Sequence, residues 1–268
     1  TISSAEYNTG IGISTLDALT SGDRNVAVGA LAGTNISSGG SNTLVGSNAG
    51  DALTTGSHNI AIGHNALGAE DGNGRNVAIG YQALLVQNAG ADAYNIAIGY
   101  NTGVAVSTGI RNIIIGAEAG DALTTGDYNV AIGHEALSTE DAHGRNVAIG
   151  YRALRDMDAG TDAYSVAIGY LAGENITTGI RNVLIGGLAG DALTTGSSNI
   201  AIGLQALSTE DGHGLNIAIG HNALASLNAG ADGYNVAIGH LAGEDMTTGI
   251  QNTIVGGLAG DALTTGSN

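Results

Sequence analysis

Along this chain the hydrophobic positions fall into a short alternating block that returns at a nearly constant interval. Asn59-Ile60-Ala61-Ile62-Gly63 comes back as Asn76 to Gly80, Asn95 to Gly99, Asn112 to Gly116 and Asn129 to Gly133. Laid on its first residue, the block recurs at 8, 25, 42, 59, 76, 95, 112, 129, 146, 165, 182, 199, 216, 235 and 252. Asn fills fourteen of these fifteen positions, Asn199 among them, and Ser165 is the exception. Alternation with a period of two predicts a short strand, because successive side chains point to opposite faces. Ile60 and Ile62, like Val130 and Ile132, share one face and are expected to line the core. Asn59, Ala61 and Gly63 take the other face.

A second segment, Asp51-Ala52-Leu53-Thr54-Thr55, adds an apolar position and two β-formers, so it too is expected to be a strand. Gly56, Gly63 and Gly133 fall where the chain must turn, which glycine does at φ > 0 without penalty. One such unit cannot bury its own apolar face, so units must stack. The prediction is an all-β fold: a parallel β-solenoid, or β-roll, of about fifteen coils of 17–19 residues. At the usual strand spacing, about 4.8 Å, the stack would span roughly 70 Å. The anchor Asn residues would lie over one another and share side-chain amide hydrogen bonds along the axis.

The steps between anchors are 17 residues, except for 19 at 76→95, 146→165 and 216→235. Three short steps and one long one make a 70-residue superrepeat within a single repetitive domain, 1–268. Its copies are 51–120, 121–190 and 191–260, with partial repeats at 1–50 and 261–268. The insertions, as in Gln87 to Tyr94, predict a bulged corner at every fourth coil. Glu70-Asp71, Glu140-Asp141 and Glu210-Asp211 stand where other coils have Thr-Thr. Spacing these carboxylates four coils apart would relieve like-charge repulsion along the stack. The sequence starts and stops within the repeat, so the ends are expected either to stack on further copies or to continue in a longer protein.

Composition narrows the function classes. The chain has 268 residues with 46 Gly and no Pro, Phe, Trp or Cys. That skew means a repeat architecture or disorder, and β-branched residues in fixed register favour the repeat. A net charge of −17 argues against nucleic acid and anionic membrane surfaces. No run approaches the length of a membrane helix. Without Cys there is neither a disulfide framework nor a thiolate metal site.

Asn76 to Ala83, Asn-Val-Ala-Ile-Gly followed by Tyr and small residues, resembles the head repeats of trimeric autotransporter adhesins. Similar units occur in phage tail-fibre-like proteins and bacterial surface proteins. The resemblance runs through essentially the whole chain but is carried by one short motif. It implies a left-handed parallel β-roll, three chains packed side by side, and an adhesive or spacer role at a cell or virion surface. In that picture the small residues Ala61 and Gly63 would face neighbouring chains.

Little enzymatic chemistry is legible. His134-Glu135, or Glu140-Asp141 near His143, can be drawn as an acid–base pair, but His143 becomes Asn73 in the preceding superrepeat. Near-identical coils present repeated faces rather than one special pocket. Hexapeptide-repeat acyltransferases would need an aliphatic–small pair at every sixth position, and an ice-binding face would need an unbroken Thr array; neither is present. The glycine-rich stretch Gly56 to Gly63 is followed by no Lys, so it is not a phosphate cradle. Glu70, Asp71, Glu140, Asp141, Glu210 and Asp211 are oxygen donors suited to Ca²⁺, with a solvated acidic edge as the plainer reading. Tyr81, Tyr100, Tyr151 and Tyr170 either cover the coil beneath or offer stacking faces to glycans. The expectation is an extracellular structural fibre, not an enzyme and without a cofactor. Its partners are further copies of itself, as a homotrimer or end-to-end filament, with surface glycans or a host receptor as the alternative.

Overall fold

A computed structural model describes residues 5–267. Fifteen strands of three residues each, one per coil, follow the anchors. They are β1 (Thr9–Ile11), β2 (Val26–Val28), β3 (Thr43–Val45), β4 (Ile60–Ile62), β5 (Val77–Ile79), β6 (Ile96–Ile98), β7 (Ile113–Ile115) and β8 (Val130–Ile132). The series continues with β9 (Val147–Ile149), β10 (Val166–Ile168), β11 (Val183–Ile185), β12 (Ile200–Ile202), β13 (Ile217–Ile219), β14 (Val236–Ile238) and β15 (Thr253–Val255). No helix occurs among the described residues. The chain divides into two compact units, Thr1–Ala131 and Ile132–Asn268. In the first, consecutive strands from β1 to β7 pair in parallel. In the second, β9 to β15 do the same. Equivalent positions face each other: Ile60 pairs with Val77, Ala61 with Ala78 and Ile62 with Ile79. The expected all-β parallel solenoid with a coil of about 17 residues is the observed fold.

The inward face is the opposite of the expected one. Asn59 and Ala61 are 0% exposed, whereas Ile60 is 37% exposed and Ile62 is half-buried. A small coil leaves no room for two Ile per turn on its inside, so the core wall is built from Ala and the branched side chains stand outside. The interior is completed by three further columns of buried side chains. One is Ala, as at Ala49, Ala66 and Ala83. A second alternates in pairs between Gly and Leu: Gly33, Gly50, Leu67, Leu84, then Gly103, Gly120, Leu137, Leu154. A third runs Ile36, Leu53, Glu70, Gln87, Val106, Leu123, and in the second unit Glu140, Met157, Ile176, Leu193, Glu210, Leu227. The expected second strand, Asp51 to Thr55, is a turn in which Leu53 plugs this third column.

The paired glycines show how the superrepeat keeps the core filled. At every fourth coil the inward strand residue is large: Leu44, Ile114 and Leu184 in place of Ala. A Cβ on Gly33 would come within 2.6 Å of Leu44 Cδ1, and one on Gly50 within 2.8 Å of Leu44 Cδ2. Where the strand residue returns to Ala, Leu67 and Leu84 fill the same space. The 70-residue period is thus a volume exchange between columns, which close packing demands. The corner glycine after each strand answers a different need. Gly46 has φ +135°, and a Cβ there would lie 2.6 Å from the Gly63 carbonyl oxygen of the next coil. Non-glycine residues also adopt the left-handed conformation, among them Arg75 (φ 64°), Tyr94 (φ 54°) and Leu67 (φ 53°).

Candidate functional site

Four sets of side chains stand out from the repeating scaffold: the Asn column, the outer Ile/Val face, the aromatic and arginine columns, and the acidic corners. The Asn column is structural, but its wiring differs from stacked amides. Asn112 Nδ2 donates to the Gly126 carbonyl at 2.8 Å, and Asn112 Oδ1 accepts from the Asn129 amide at 2.8 Å. The pattern repeats at Asn59, whose Oδ1 accepts from Asn76 N at 3.0 Å, and at Asn182, whose Oδ1 accepts from Asn199 N at 2.9 Å. At these coils the buried amide satisfies backbone groups at two points of the coil interior, whereas Asn76 bonds only through its Oδ1, which accepts from Asn95 N at 3.1 Å, and its Nδ2 is buried without a partner. Direct amide-to-amide bonds are fewer, as from Asn42 Nδ2 to Asn25 Oδ1 at 3.0 Å. At the one exception, Ser165 Oγ accepts from Asn182 N at 3.3 Å, a longer substitute.

The outer strand face carries Ile or Val at both positions of nearly every coil, with Thr only at Thr9, Thr43 and Thr253. In the first unit the stripe includes Ile60, Val77, Ile96 and Ile113, and in the second Val147, Val166, Val183 and Ile200, each partly exposed. The small faces of Ala61 and Ala78 do not contribute to it, since both are buried.

Beside that face, where the residue after the corner glycine is His or Tyr, short ring columns form. His64, Tyr81 and Tyr100 stack with centroids 5.5 and 5.4 Å apart and planes within 11°. His134, Tyr151 and Tyr170 repeat the arrangement at 5.6 and 5.4 Å. The tyrosines cover one another and still keep about half of their surface, as Tyr100 at 52%. From Arg75 to Arg181 the residue preceding the anchor position alternates between Arg and Tyr. Arg75 Nη1 donates to Asp92 Oδ2 and to the Tyr94 hydroxyl, both at 2.6 Å, with its guanidinium 5.4 Å from the Tyr94 ring. Arg145 pairs with Asp162 and lies over Tyr164 in the same way. These exposed pairs add little stability individually.

The acidic corners prove to be half inside the protein. Glu70, Glu140 and Glu210 sit in the third core column and are fully buried, whereas Asp71, Asp141 and Asp211 are exposed. Each glutamate ties off its own corner, with Oε1 accepting from the amide three residues on: Asn73, His143 and His213, each at 3.1 Å. Each pair stands one residue out of the expected Thr-Thr register, Glu70 at the position of Leu53 and Asp71 at that of Thr54, so the expected edge of solvated carboxylates consists of the aspartates alone. Burial raises the carboxyl pKa of Glu70 and Glu140, opposed by the amides of Asn73 and His143 respectively. Burial likewise raises Asp51 and Asp191 at their turns. His143 Nδ1 lies 3.6 Å from Glu140 Oε1, and His213 Nδ1 lies 3.1 Å from Glu210 Oε1. Glu140, Asp141, His143 and Asp158 each bring one donor atom within 4.8 Å of the others, and Glu210, Asp211 and His213 do the same. Sequence reasoning named the carboxylates as oxygen donors for Ca²⁺ but missed the imidazole and Asp158. Asp158 lies 18 residues after Glu140 on the inserted corner of the next coil, and a coil of known length places the two side by side. No family model, curated protein or solved structure matches the chain.

Proposed function

We propose that the chain is a structural fibre protein working outside the cell, in which the outer Ile/Val strand face packs against further copies of the same chain. The observation that supports this reading is the face itself. Branched apolar side chains line both outward positions of coil after coil and remain partly exposed. Contiguous apolar surface of this kind marks protein–protein contact, and identical coils in register offer a self-complementary partner. The high negative charge, −17, opposes indiscriminate clumping of such surfaces. Light scattering on the purified chain, with negative-stain electron microscopy, tests the proposal. Discrete multi-chain particles or filaments are expected. The double variant Ile62→Asp, Ile79→Asp should release single chains with an unchanged circular dichroism spectrum. A single-chain mass for the wild type at high concentration sinks the idea.

The aromatic columns favour a second reading, adhesion through glycans. Tyr81, Tyr100, Tyr151 and Tyr170 are exposed beside a rigid wall, and rings so placed contact the apolar faces of sugars. Glycan-array binding that disappears with Tyr81→Ala, Tyr100→Ala would support it, and an array without signal would remove it.

A further inference from the structure

We propose that the corner formed by Glu140, Asp141, His143 and Asp158 binds a divalent transition-metal ion of the zinc type. Two independent observations meet there. The four side chains converge, each placing a donor atom within 4.8 Å of the others. Glu140, with a side chain that is 0% exposed, also has its Oε2 sealed from solvent without a hydrogen-bond partner, and the Ala159 amide is the smallest of the influences on its carboxyl. A buried carboxylate oxygen without a satisfying partner is costly, and a cation beside it removes that cost.

The donor set selects the ion. One imidazole nitrogen with three carboxylates suits Zn²⁺, which takes His and Asp/Glu ligands in a four-coordinate site, whereas Ca²⁺ takes six to eight oxygens. Ligands about 2.0–2.1 Å from such an ion lie about 3.3 Å from one another. The corner would close by about 1.5 Å at most, a movement open to the exposed Asp141 and Asp158 side chains.

The other two superrepeats supply internal controls. At the first corner His143 and Asp158 are replaced by Asn73 and Asn88; Glu70 Oε2 is equally unsatisfied, but of the three companions only the Asp71 carboxylate remains. At the third, His213 is present, yet Asn228 replaces the second aspartate and Glu210 Oε2 accepts from Ala229 N at 3.1 Å. The order of affinity is therefore second corner, third corner, first corner. Asp158 belongs to the inserted corner of the coil that follows Glu140, so the ion would staple that projection to the coil before it. This inference is independent of the fibre proposal.

Calorimetric titration with ZnCl₂, and with CaCl₂ as comparison, tests the site on the full chain. The expected result is a Zn²⁺-binding event that Ca²⁺ does not reproduce, with a rise in melting temperature. Affinity should fall about tenfold or more in His143→Ala and in Asp158→Asn, while both variants keep the wild-type circular dichroism spectrum. The gain-of-site variant Asn73→His, Asn88→Asp should add one equivalent of Zn²⁺. No Zn²⁺ uptake by the wild type, or uptake unaffected by His143→Ala together with Asp158→Asn, would overturn the proposal.

Discussion

Asn59 and Ala61 on the inner side of β4 and Ile60 and Ile62 on its outer side alternate along the same few residues, yet they answer to different constraints. Inward, each position is closed by a side chain of another column and by the coils before and after it. Ala78 faces Ala61 and Ala97 in the neighbouring strands, and Leu67 and Leu84 occupy the adjoining column. Outward, Ile60 faces Thr43 and Val77, and Ile62 faces Val45 and Ile79, in the neighbouring strands, so the β-branched residues Ile, Val and Thr interchange freely. The comparison teaches that the larger residue of an alternating pair is not always the core residue. In a narrow coil, volume decides.

Substitutions on the two faces should separate cleanly. The largest loss is expected from Asn182→Ala, which leaves the Gly196 carbonyl and the Asn199 amide without their partners. About 1–3 kcal/mol for each unsatisfied buried group would show in denaturant titration, and a loss below 1 kcal/mol would break the account of the Asn column. Next comes Ala78→Leu, which overpacks a site already filled from Leu67 and Leu84 and should cost about 1–3 kcal/mol. Adding Leu67→Gly and Leu84→Gly recreates the arrangement around Leu44 and should recover much of that loss; failure to recover would undo the volume-exchange argument.

Smaller effects sharpen the contrast. Ser165→Asn should stabilise by about 0.5–1.5 kcal/mol, by restoring the bond to the Gly179 carbonyl that the Asn at other coils makes. On the outer face, Ile132→Asp, which a core assignment would make disruptive, should change monomer stability little, since Ile132 is only half-buried. Its effect should show in the mass of the assembly.

Acidity offers a further test of the inner columns. The carboxyls of Glu70 and Glu140 are raised above their ordinary value of 4.5. Between that value and the raised one, the folded chain holds protons that the unfolded chain has released. Stability from these groups is therefore full below pH 4.5, falls as the pH climbs to each raised pKa, and then levels off. Glu140→Gln keeps the Oε1 acceptor and should flatten the decline in melting temperature between pH 4.5 and neutrality. An unchanged slope in metal-free buffer would mean that Glu140 is ionised at no penalty.

Much of the fold was legible because a fixed interval carries strong information. Fifteen anchors at steps of 17 or 19 residues specify stacking, register and parallel strands without any estimate of energy. The inward direction was not legible, because alternation marks two faces without naming either. The Gly/Leu exchange around Leu44 lies across residues of different coils and emerges only when columns are placed side by side. The same holds for the acidic corner: Glu140 and Asp141 were visible as carboxylates, but the burial of one and exposure of the other depend on which column each enters. Tyr81 and Tyr100 were visible as a recurring pair, and their stacking on His64 follows from coil spacing once the corner geometry is known.

The left-handed backbone at Arg75, Tyr94, Leu67 and their counterparts bears on how the molecule comes into being. For residues other than glycine this conformation costs roughly 1–2 kcal/mol each, and among the described residues two or three occur in each coil between successive anchors. A coil with no neighbour carries that strain without the hydrogen bonds that offset it, so it does not persist alone. A finished coil presents the next stretch of chain with a row of carbonyls and an Asn oxygen already in position. Folding on this template is like the growth of a crystal: a slow, improbable seed, followed by rapid addition, each layer copied from the last.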